Sequence, residues 1–264
     1  MEEELSSLRD NNTRTITSLP EGRTAVRCKS VFKEKRRAEG KIERYKARLV
    51  PKGFTQQYGI DYLETYVPVV KLALLRILFA IAAFYNFDIH QGDIKTSYLL
   101  CELEEEIYME ILEGVSSPTR KLKIGKPVCG LGRGLYRLKQ SGRIWNKAWD
   151  DFLIRKCHFK RSVEDYAVYY RIGGGNSPLW IVIWVDDMLW IWKLYDINEA
   201  KRELARRFPL KDLGRSHVFL GMKIIRKAQE RKITRCQDQH IESVLEQFGL
   251  QDCYTVSTPI EPGI

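Results

Sequence analysis

Cysteine is sparse and scattered in this chain: six residues (Cys28, Cys101, Cys129, Cys157, Cys236, Cys253) with no Cys-x-x-Cys pair among them. That spacing excludes a zinc-finger ligand pattern and provides no disulfide framework, so reduced thiols and an intracellular setting are expected. Cys157 and His158 are adjacent, but no second ligand pair stands at a matching distance. Long apolar runs are also missing. The longest before residue 179, from Leu72 to Tyr85, is interrupted by Arg76 and is too short to span a bilayer. The chain opens on Met1-Glu2-Glu3-Glu4, which is not the basic start of a secretory leader. A soluble protein with no membrane partner is the expectation.

Positive charge is what the chain has in excess, with 44 Lys and Arg against 34 Asp and Glu in 264 residues. The excess is local: between Gly22 and Gly53 stand twelve Lys and Arg but only three Glu. From Arg27 to Lys35 the basic residues fall on odd positions (27, 29, 33, 35), and from Ile42 to Val50 they fall on even ones (Arg44, Lys46, Arg48). Ala38-Glu39-Gly40 reads as a turn between them. A spacing of two puts each basic set on one face of a strand, with Tyr45, Ala47 and Leu49 on the other. Two such strands make a ribbon with one cationic face, suited to nucleic acid or to nucleotide phosphates. Lys33 and Lys35 are its candidate contacts with nucleic acid.

Hydrophobic residues make up 44% of the chain, enough for a substantial core. Its centre is expected from Leu179 to Trp192, where two apolar, aromatic and β-branched runs flank Asp186-Asp187. This pattern predicts a hairpin buried on both faces, with the acids at its tip. Burying two ionised carboxylates is costly without compensation, which a hard divalent cation can supply.

Elsewhere the residues predict a weak start over 1–21, with a short acidic helix at best. Irregular chain then runs from Tyr58 to Val70, and a core helix from Lys71 to Phe87. Asp88 to Ile94 reads as a strand with Asp93 at its end, and Ile107-Tyr108-Met109 as strand-like. A Gly-, Pro- and Lys-rich connection is expected to about residue 134. Ser141 is the expected cap of a helix to about Lys156, and Tyr166 to Ile172 reads as a strand. Residues 173–177 are expected to be a hairpin loop rather than a phosphate cradle, since no helix N-terminus follows them. Asp196 with Glu199 reads as a capping box for a helix to about Arg207. Val218 to Ile225 reads as one strand. A final helix is expected from Asp238 to Phe248, closed by Gly249. The order from Asp93 onward is strand, helix, paired strands, helix, strand, which matches the β-α-β-β-α-β ferredoxin-like pattern and makes the Asp93 and Asp186 strands potential neighbours.

Several runs together resemble a known family. They are Tyr45-Lys46-Ala47-Arg48-Leu49-Val50, Lys52-Gly53-Phe54-Thr55-Gln56, Gly59-Ile60-Asp61-Tyr62 and His90-Gln91-Gly92-Asp93-Ile94-Lys95-Thr96. Leu138-Lys139-Gln140, Trp184-Val185-Asp186-Asp187, Lys211-Asp212-Leu213-Gly214 and Phe219-Leu220-Gly221 follow in the same order. The chain resembles a reverse transcriptase of the copia type, part of a long-terminal-repeat retrotransposon polyprotein, over about Asn11 to Pro259. The resemblance implies an α+β right-hand polymerase with fingers, a ferredoxin-like palm and a partial thumb. Residues 1–21 would be an N-terminal extension and 22–264 the domain, with fingers about 22–87, palm about 88–225 and the thumb beginning at about 226.

By the same resemblance, Asp93, Asp186 and Asp187 are the metal-binding and catalytic carboxylates for two Mg²⁺ or Mn²⁺ ions. Lys46 and Arg48 would meet the incoming dNTP, Tyr98 would block a ribose 2′-hydroxyl, and Gln140 would support the nucleotide. Lys211 is the implied proton donor to pyrophosphate. Trp184 and Phe219, Leu220, Gly221 and Met222 would contact the primer. Partners are an RNA or DNA template with its primer and dNTPs, in the cytoplasm (within virus-like particles) or the nucleus; oligomeric state stays open. Departures from the family pattern include Trp184 for Tyr, Gly142 for Pro, Arg137 for Gly, and Gly92 for Leu, the last expected to weaken its strand. With no protease, integrase or ribonuclease H region present, a transposon fragment is expected. Its alternatives are a decayed remnant that only binds nucleic acid, and a two-metal nuclease, for which Tyr98 and Leu138-Lys139-Gln140 would have no use.

Overall fold

The computed structural model describes residues 2–36, 42–112, 126–172 and 178–255. In chain order the first elements are α1 (Glu2–Asp10), β1 (Arg14–Ser18), β2 (Cys28–Arg36), β3 (Ile42–Pro51), α2 (Leu72–Tyr85) and β4 (Asp88–Ile94). They are followed by β5 (Glu102–Met109), β6 (Pro127–Arg133), α3 (Ser141–Arg155), β7 (Lys160–Arg161), β8 (Val168–Ile172), β9 (Pro178–Trp184) and β10 (Asp187–Trp192). The last are α4 (Leu194–Ala205), β11 (Leu210–Arg215), β12 (Val218–Phe219), β13 (Met222–Lys227), β14 (Lys232–Cys236) and α5 (Asp238–Gln247). Among the described residues this is a mixed helix-and-sheet fold with five α-helices and four sheets. No described helix is long and apolar enough to cross a membrane.

The six-stranded sheet, in the order β11-β4-β10-β9-β8-β7, carries the core. The expected hairpin is there as β9 and β10, and its non-alternating pattern has the expected cause. β10 lies between β9 and β4, and from Met188 to Trp192 every residue is buried. Trp190 and Trp192 are in the interior with Leu189 and Ile191, while α2, α3 and α4 contribute Leu75, Leu78, Trp145, Trp149 and Leu204 to the same cluster. Trp180 and Trp184 are only partly buried.

Gly92 has a packing role. A Cβ built there would stand 2.6 Å from Cη2 of Trp190, so the glycine makes room for the indole. The expectation that Gly92 weakens β4 is thus incomplete: the volume missing on one strand is filled from its neighbour.

Four local expectations are corrected. Pro127–Arg133, expected as connection, is a strand paired on both sides, with β1 and with β5. Residues 2–18 are more than a weak start: Leu8 is in a second core cluster with Val26, Leu49 and Met109, and Oε1 of Glu4 accepts the Leu49 amide at 3.2 Å. Val218 to Ile225 is two strands, β12 and β13, joined by a two-residue turn at Leu220 (φ 53°) and Gly221 (φ 74°). Positive φ at both central residues matches the twist of a tight hairpin. The expected caps are also replaced, since neither Ser141 nor Asp196 caps its helix with a side chain. Ser141 instead donates to the Leu135 carbonyl at 2.7 Å and accepts its amide at 3.1 Å, closing the preceding loop. The turn expected at Ala38-Glu39-Gly40 and the loop over 173–177 lie outside the described residues.

Candidate active site at the Asp93 end of the central sheet

Strand pairing brings the acids together. Asp93, the sixth residue of β4, has Asp187 of β10 directly opposite on one side and Lys211 of β11 opposite on the other. Directly opposed residues share a face of the sheet, with Cβ atoms about 4.5–5.5 Å apart. A row Asp187, Asp93, Lys211 therefore crosses three strands at one sheet end. Asp186 stands beside it in the β9–β10 turn, whose Asp186 carbonyl accepts the Ile94 amide at 3.2 Å.

The three acids share one electrostatic environment. Burial, then the negative charges of Asp186 and Asp93, pushes Asp187 up to about 6, against a hydrogen bond from Gln91. Asp186 is also raised, first by burial and then by Asp93, while Arg48 and Lys46 pull it down. Among the described residues no three His, Cys, Asp or Glu are gathered closely enough to form a ready metal cage. The acids are within electrostatic reach of one another without converging on a common point.

Arg48 and Tyr98 complete the surroundings of Asp186. Arg48 comes from β3, and its guanidinium lies 4.5 Å from the centroid of the Tyr136 ring. Its buried Nε has no hydrogen-bond partner among the described residues. Tyr98 comes from the short 3₁₀ turn Ser97–Leu100 that follows β4, and its ring meets the edge of Tyr136 at 5.0 Å. Burial, with Asp186 adding to it, pushes the Tyr98 phenol up to about 12. It therefore stays protonated at neutral pH. Tyr136 links Arg48 to Tyr98 and was not among the expected site residues; its signal was its place four residues before Gln140 in Tyr136-Arg137-Leu138-Lys139-Gln140.

Other expected residues are placed differently. Gln140 is 1% exposed and its amide is engaged inside the fold. Its Nε2 donates to the Asp61 carbonyl at 2.7 Å and to Glu105 at 3.2 Å, and its Oε1 accepts from Gln56 at 3.0 Å. Gln56 in turn accepts the Lys139 amide at 2.8 Å. A Cβ on Gly53 would fall 1.9 Å from the Arg137 carbonyl oxygen, so that glycine permits the same close approach. The network ties residues 53–62 to the start of α3, and Gln140 acts from the interior rather than as a direct contact. Phe219 is 1% exposed and Met222 9%, which places both in the core. Between them the turn is more open, with Leu220 partly buried and Gly221 exposed. Trp184, half-buried, lies across from Asp187. Lys33 is exposed and opposes Lys46 on the ribbon, as the alternation implied. The side chain of Lys35 lies outside what the structure describes.

Comparison with known proteins places the chain in a family. A family model described as "Reverse transcriptase (RNA-dependent DNA polymerase)" matches residues 11–262. The chain is 40% identical over 261 residues to the retrovirus-related Pol polyprotein from transposon TNT 1-94 of Nicotiana tabacum, covering 98% of this chain and 19% of that protein. It is 31% identical to the corresponding polyprotein from transposon RE1 of Arabidopsis thaliana, covering 90% of this chain and 16% of the relative. With the transposon Ty1-BR Gag-Pol polyprotein of Saccharomyces cerevisiae the identity is 30%, over 68% of this chain and 10% of the relative. The chain thus spans less than a fifth of the length of these relatives.

Proposed function

Because the chain belongs to the reverse transcriptase (RNA-dependent DNA polymerase) family, we propose that it carries the polymerase activity of a copia-type retrotransposon polyprotein. Its reaction would be transfer of a nucleotidyl group from a dNTP to a primer 3′-hydroxyl on an RNA or DNA template. The observation that carries this reading is the row Asp187, Asp93, Lys211 beside Asp186, within the electrostatic reach of Arg48 and Tyr98.

The family generally uses divalent metal ions. The donor set fits such a cation: three carboxylates, two of them raised by burial and by the charge of Asp93, are hard oxygen ligands that a cation would favour in their ionised form. Asp93, Asp186 and Asp187 would hold Mg²⁺ or Mn²⁺, whose chemistry is to lower the pKa of the primer hydroxyl and to neutralise charge on the triphosphate. Arg48 and Lys46, which already act on Asp186 from the ribbon, would bind triphosphate oxygens. Tyr98, protonated and packed against Tyr136, would fill the volume a ribose 2′-hydroxyl needs. Lys211, exposed next to Asp93, would return a proton to the leaving pyrophosphate. Gln140 would position these groups through its interior network rather than touch the nucleotide.

In this reading the β2–β3 ribbon and its surroundings, about 22–87, serve as fingers. About 88–225 forms a ferredoxin-like palm, and the part from about 226 begins a thumb. The order β11-β4-β10-β9 supports the palm, being fourth, first, third and second strand of a β-α-β-β-α-β unit. The test is primer extension by the purified chain on RNA and DNA templates with Mg²⁺ or Mn²⁺, beside Asp186→Asn. Incorporation by the parent chain and none by the variant is the expected result. Template binding without incorporation by either would leave a nucleic-acid-binding remnant instead, and template breakdown without dNTPs would point to a nuclease.

A further inference from the structure

The residue just before the acid pair is held in an unfavourable backbone conformation. Val185 has φ 61°, in the left-handed region that a β-branched side chain tolerates least. Such a conformation persists only where its surroundings over-determine it. The surroundings are specific. Nε1 of Trp145, from α3, donates to the Val185 carbonyl at 2.7 Å. One residue on, the Asp186 carbonyl is held by the Ile94 amide of β4 at 3.2 Å. The carbonyls of Val185 and Asp186 are therefore both anchored, one to a helix and one to the strand that carries Asp93.

The donor is itself immobilised. Trp145 is 2% exposed, with its ring centroid 5.7 Å from Trp149 and 5.2 Å from Phe208. Phe208 also meets Trp149 at 5.3 Å and Phe152 at 5.2 Å, so one aromatic cluster fixes the direction of the indole N–H. Packing alone would need only a ring at this position; a hydrogen bond to the one carbonyl between Val185 and Asp186 needs tryptophan.

We propose that Trp145 is a positioning residue, whose indole N–H locks Val185 in its left-handed conformation and thereby sets where the Asp186 carboxylate stands. The proposal rests on reading Asp186 as a catalytic carboxylate. It also gives α3 two functions at one site, since Gln140 at its start organises the nucleotide side and Trp145, about one turn on, organises the acids.

Two substitutions and their combination form the test, made in the full chain. Trp145→Phe keeps a ring and removes the donor. Val185→Gly accepts positive φ without strain, so the lock becomes dispensable. Primer extension by Trp145→Phe is expected to lose about tenfold in kcat with KM for dNTP within about twofold. In the Val185→Gly background the same change is expected to cost less than about threefold. Urea unfolding of the four proteins, which needs no activity, is expected to show non-additive stabilities. The parent chain supplies a further reading should Trp145→Phe not fold: the Trp145 indole proton is expected to be strongly protected from hydrogen exchange. Additive stabilities, an unchanged kcat in Trp145→Phe, a rise confined to KM, or rapid exchange of that proton would each overturn the lock. Coupled stabilities in a parent chain that extends no primer would instead sink the polymerase reading and leave the backbone lock standing.

Discussion

β4 carries an aspartate near each end, and the two are treated in opposite ways. At one end Asp88 accepts from Arg226 at 2.9 Å and lies 3.5 Å from Arg215, while the Arg226 fork also bonds the Asn86 carbonyl at 3.0 Å and its side-chain oxygen at 2.8 Å. At the other end Asp93 faces Asp187 on one side and Lys211 on the other and stands beside Asp186, and its charge adds to the burial that raises both of those carboxyls. The same residue type on the same strand is thus structural where the chain supplies its counter-charge. It is a candidate site where two further carboxylates stand close by and the facing cation is a single exposed lysine. A fold gains nothing from the second arrangement by itself, because burial and like charge both oppose ionisation.

The largest expected effects separate the two ends. Asp93→Asn should lower primer extension by at least about 10³-fold, while leaving the melting temperature in the absence of divalent cation unchanged or higher. Asp88→Asn should do the reverse, with a loss of about 1.5–3 kcal/mol in urea unfolding and extension per folded molecule retained. The contrast fails if Asp93→Asn unfolds the protein or Asp88→Asn silences a stable one.

The next effect sharpens what the Asp93 end selects. Tyr98→Val should reduce the preference for dNTP over rNTP, measured as the ratio of kcat/KM values, by at least about tenfold. Activity on dNTP should largely survive. A ratio that holds while both activities fall together would make Tyr98 a packing residue for Tyr136.

A smaller effect belongs to the ribbon that faces the acids. Lys33→Ala should weaken binding to duplexes of every sequence alike and reduce the slope of log affinity against log salt by about 0.9. Weakening on one sequence only would mean that the ribbon reads bases.

The smallest effect lies between the two aspartates. His90 accepts from the buried Lys201 ammonium at 2.8 Å, and Lys201 also bonds Asp212 at 2.6 Å. Burial first, and then Lys201 with Arg215, holds the His90 pKa below its ordinary value against the pull of Asp212 and Asp88. Below about pH 6.5 the unfolded ring takes up a proton that the folded ring resists, so the unfolded state binds more protons. Stability should be full above that pH and decline as the pH falls through the folded pKa. His90→Asn should lack this decline in urea unfolding followed from pH 7.5 to 5. A parent chain with the same pH profile as the variant would show that the ring is not held neutral by its neighbours.

Legibility of the sequence followed the range of the forces involved. The β9–β10 hairpin, β4, α2 and the cationic face of β2–β3 were readable because each announces itself within a few residues by an apolar run or a repeat of two or 3.6. β6 was not, because Pro127–Arg133 contains a proline and two glycines and becomes a strand only by pairing with β1 and β5. The side chains of Ser141 and Asp196 had the chemistry of caps; Ser141 bonded its preceding loop, and α4 begins ahead of Asp196, at Leu194. Within the candidate site, the adjacency of the strands that carry Asp93 and Asp186 was readable, whereas the interior placement of Gln140 and Phe219 was not.

Sequence alone determined the chemistry available to this protein: which acids sit at strand ends, where the cationic face lies, and that the strands around Asp186 are buried on both sides. Those properties are local, set by residue type and by the alternation of a strand. Tertiary structure alone decided how they act together. Register placed Lys211 and Asp187 on either side of Asp93, the bulk of Trp190 gave Gly92 its purpose, and Tyr136 came between Arg48 and Tyr98. An indole from α3 reached the carbonyl that precedes Asp186. Each of these depends on residues far apart in the chain meeting within a few ångströms, and no pattern along a single segment encodes that meeting.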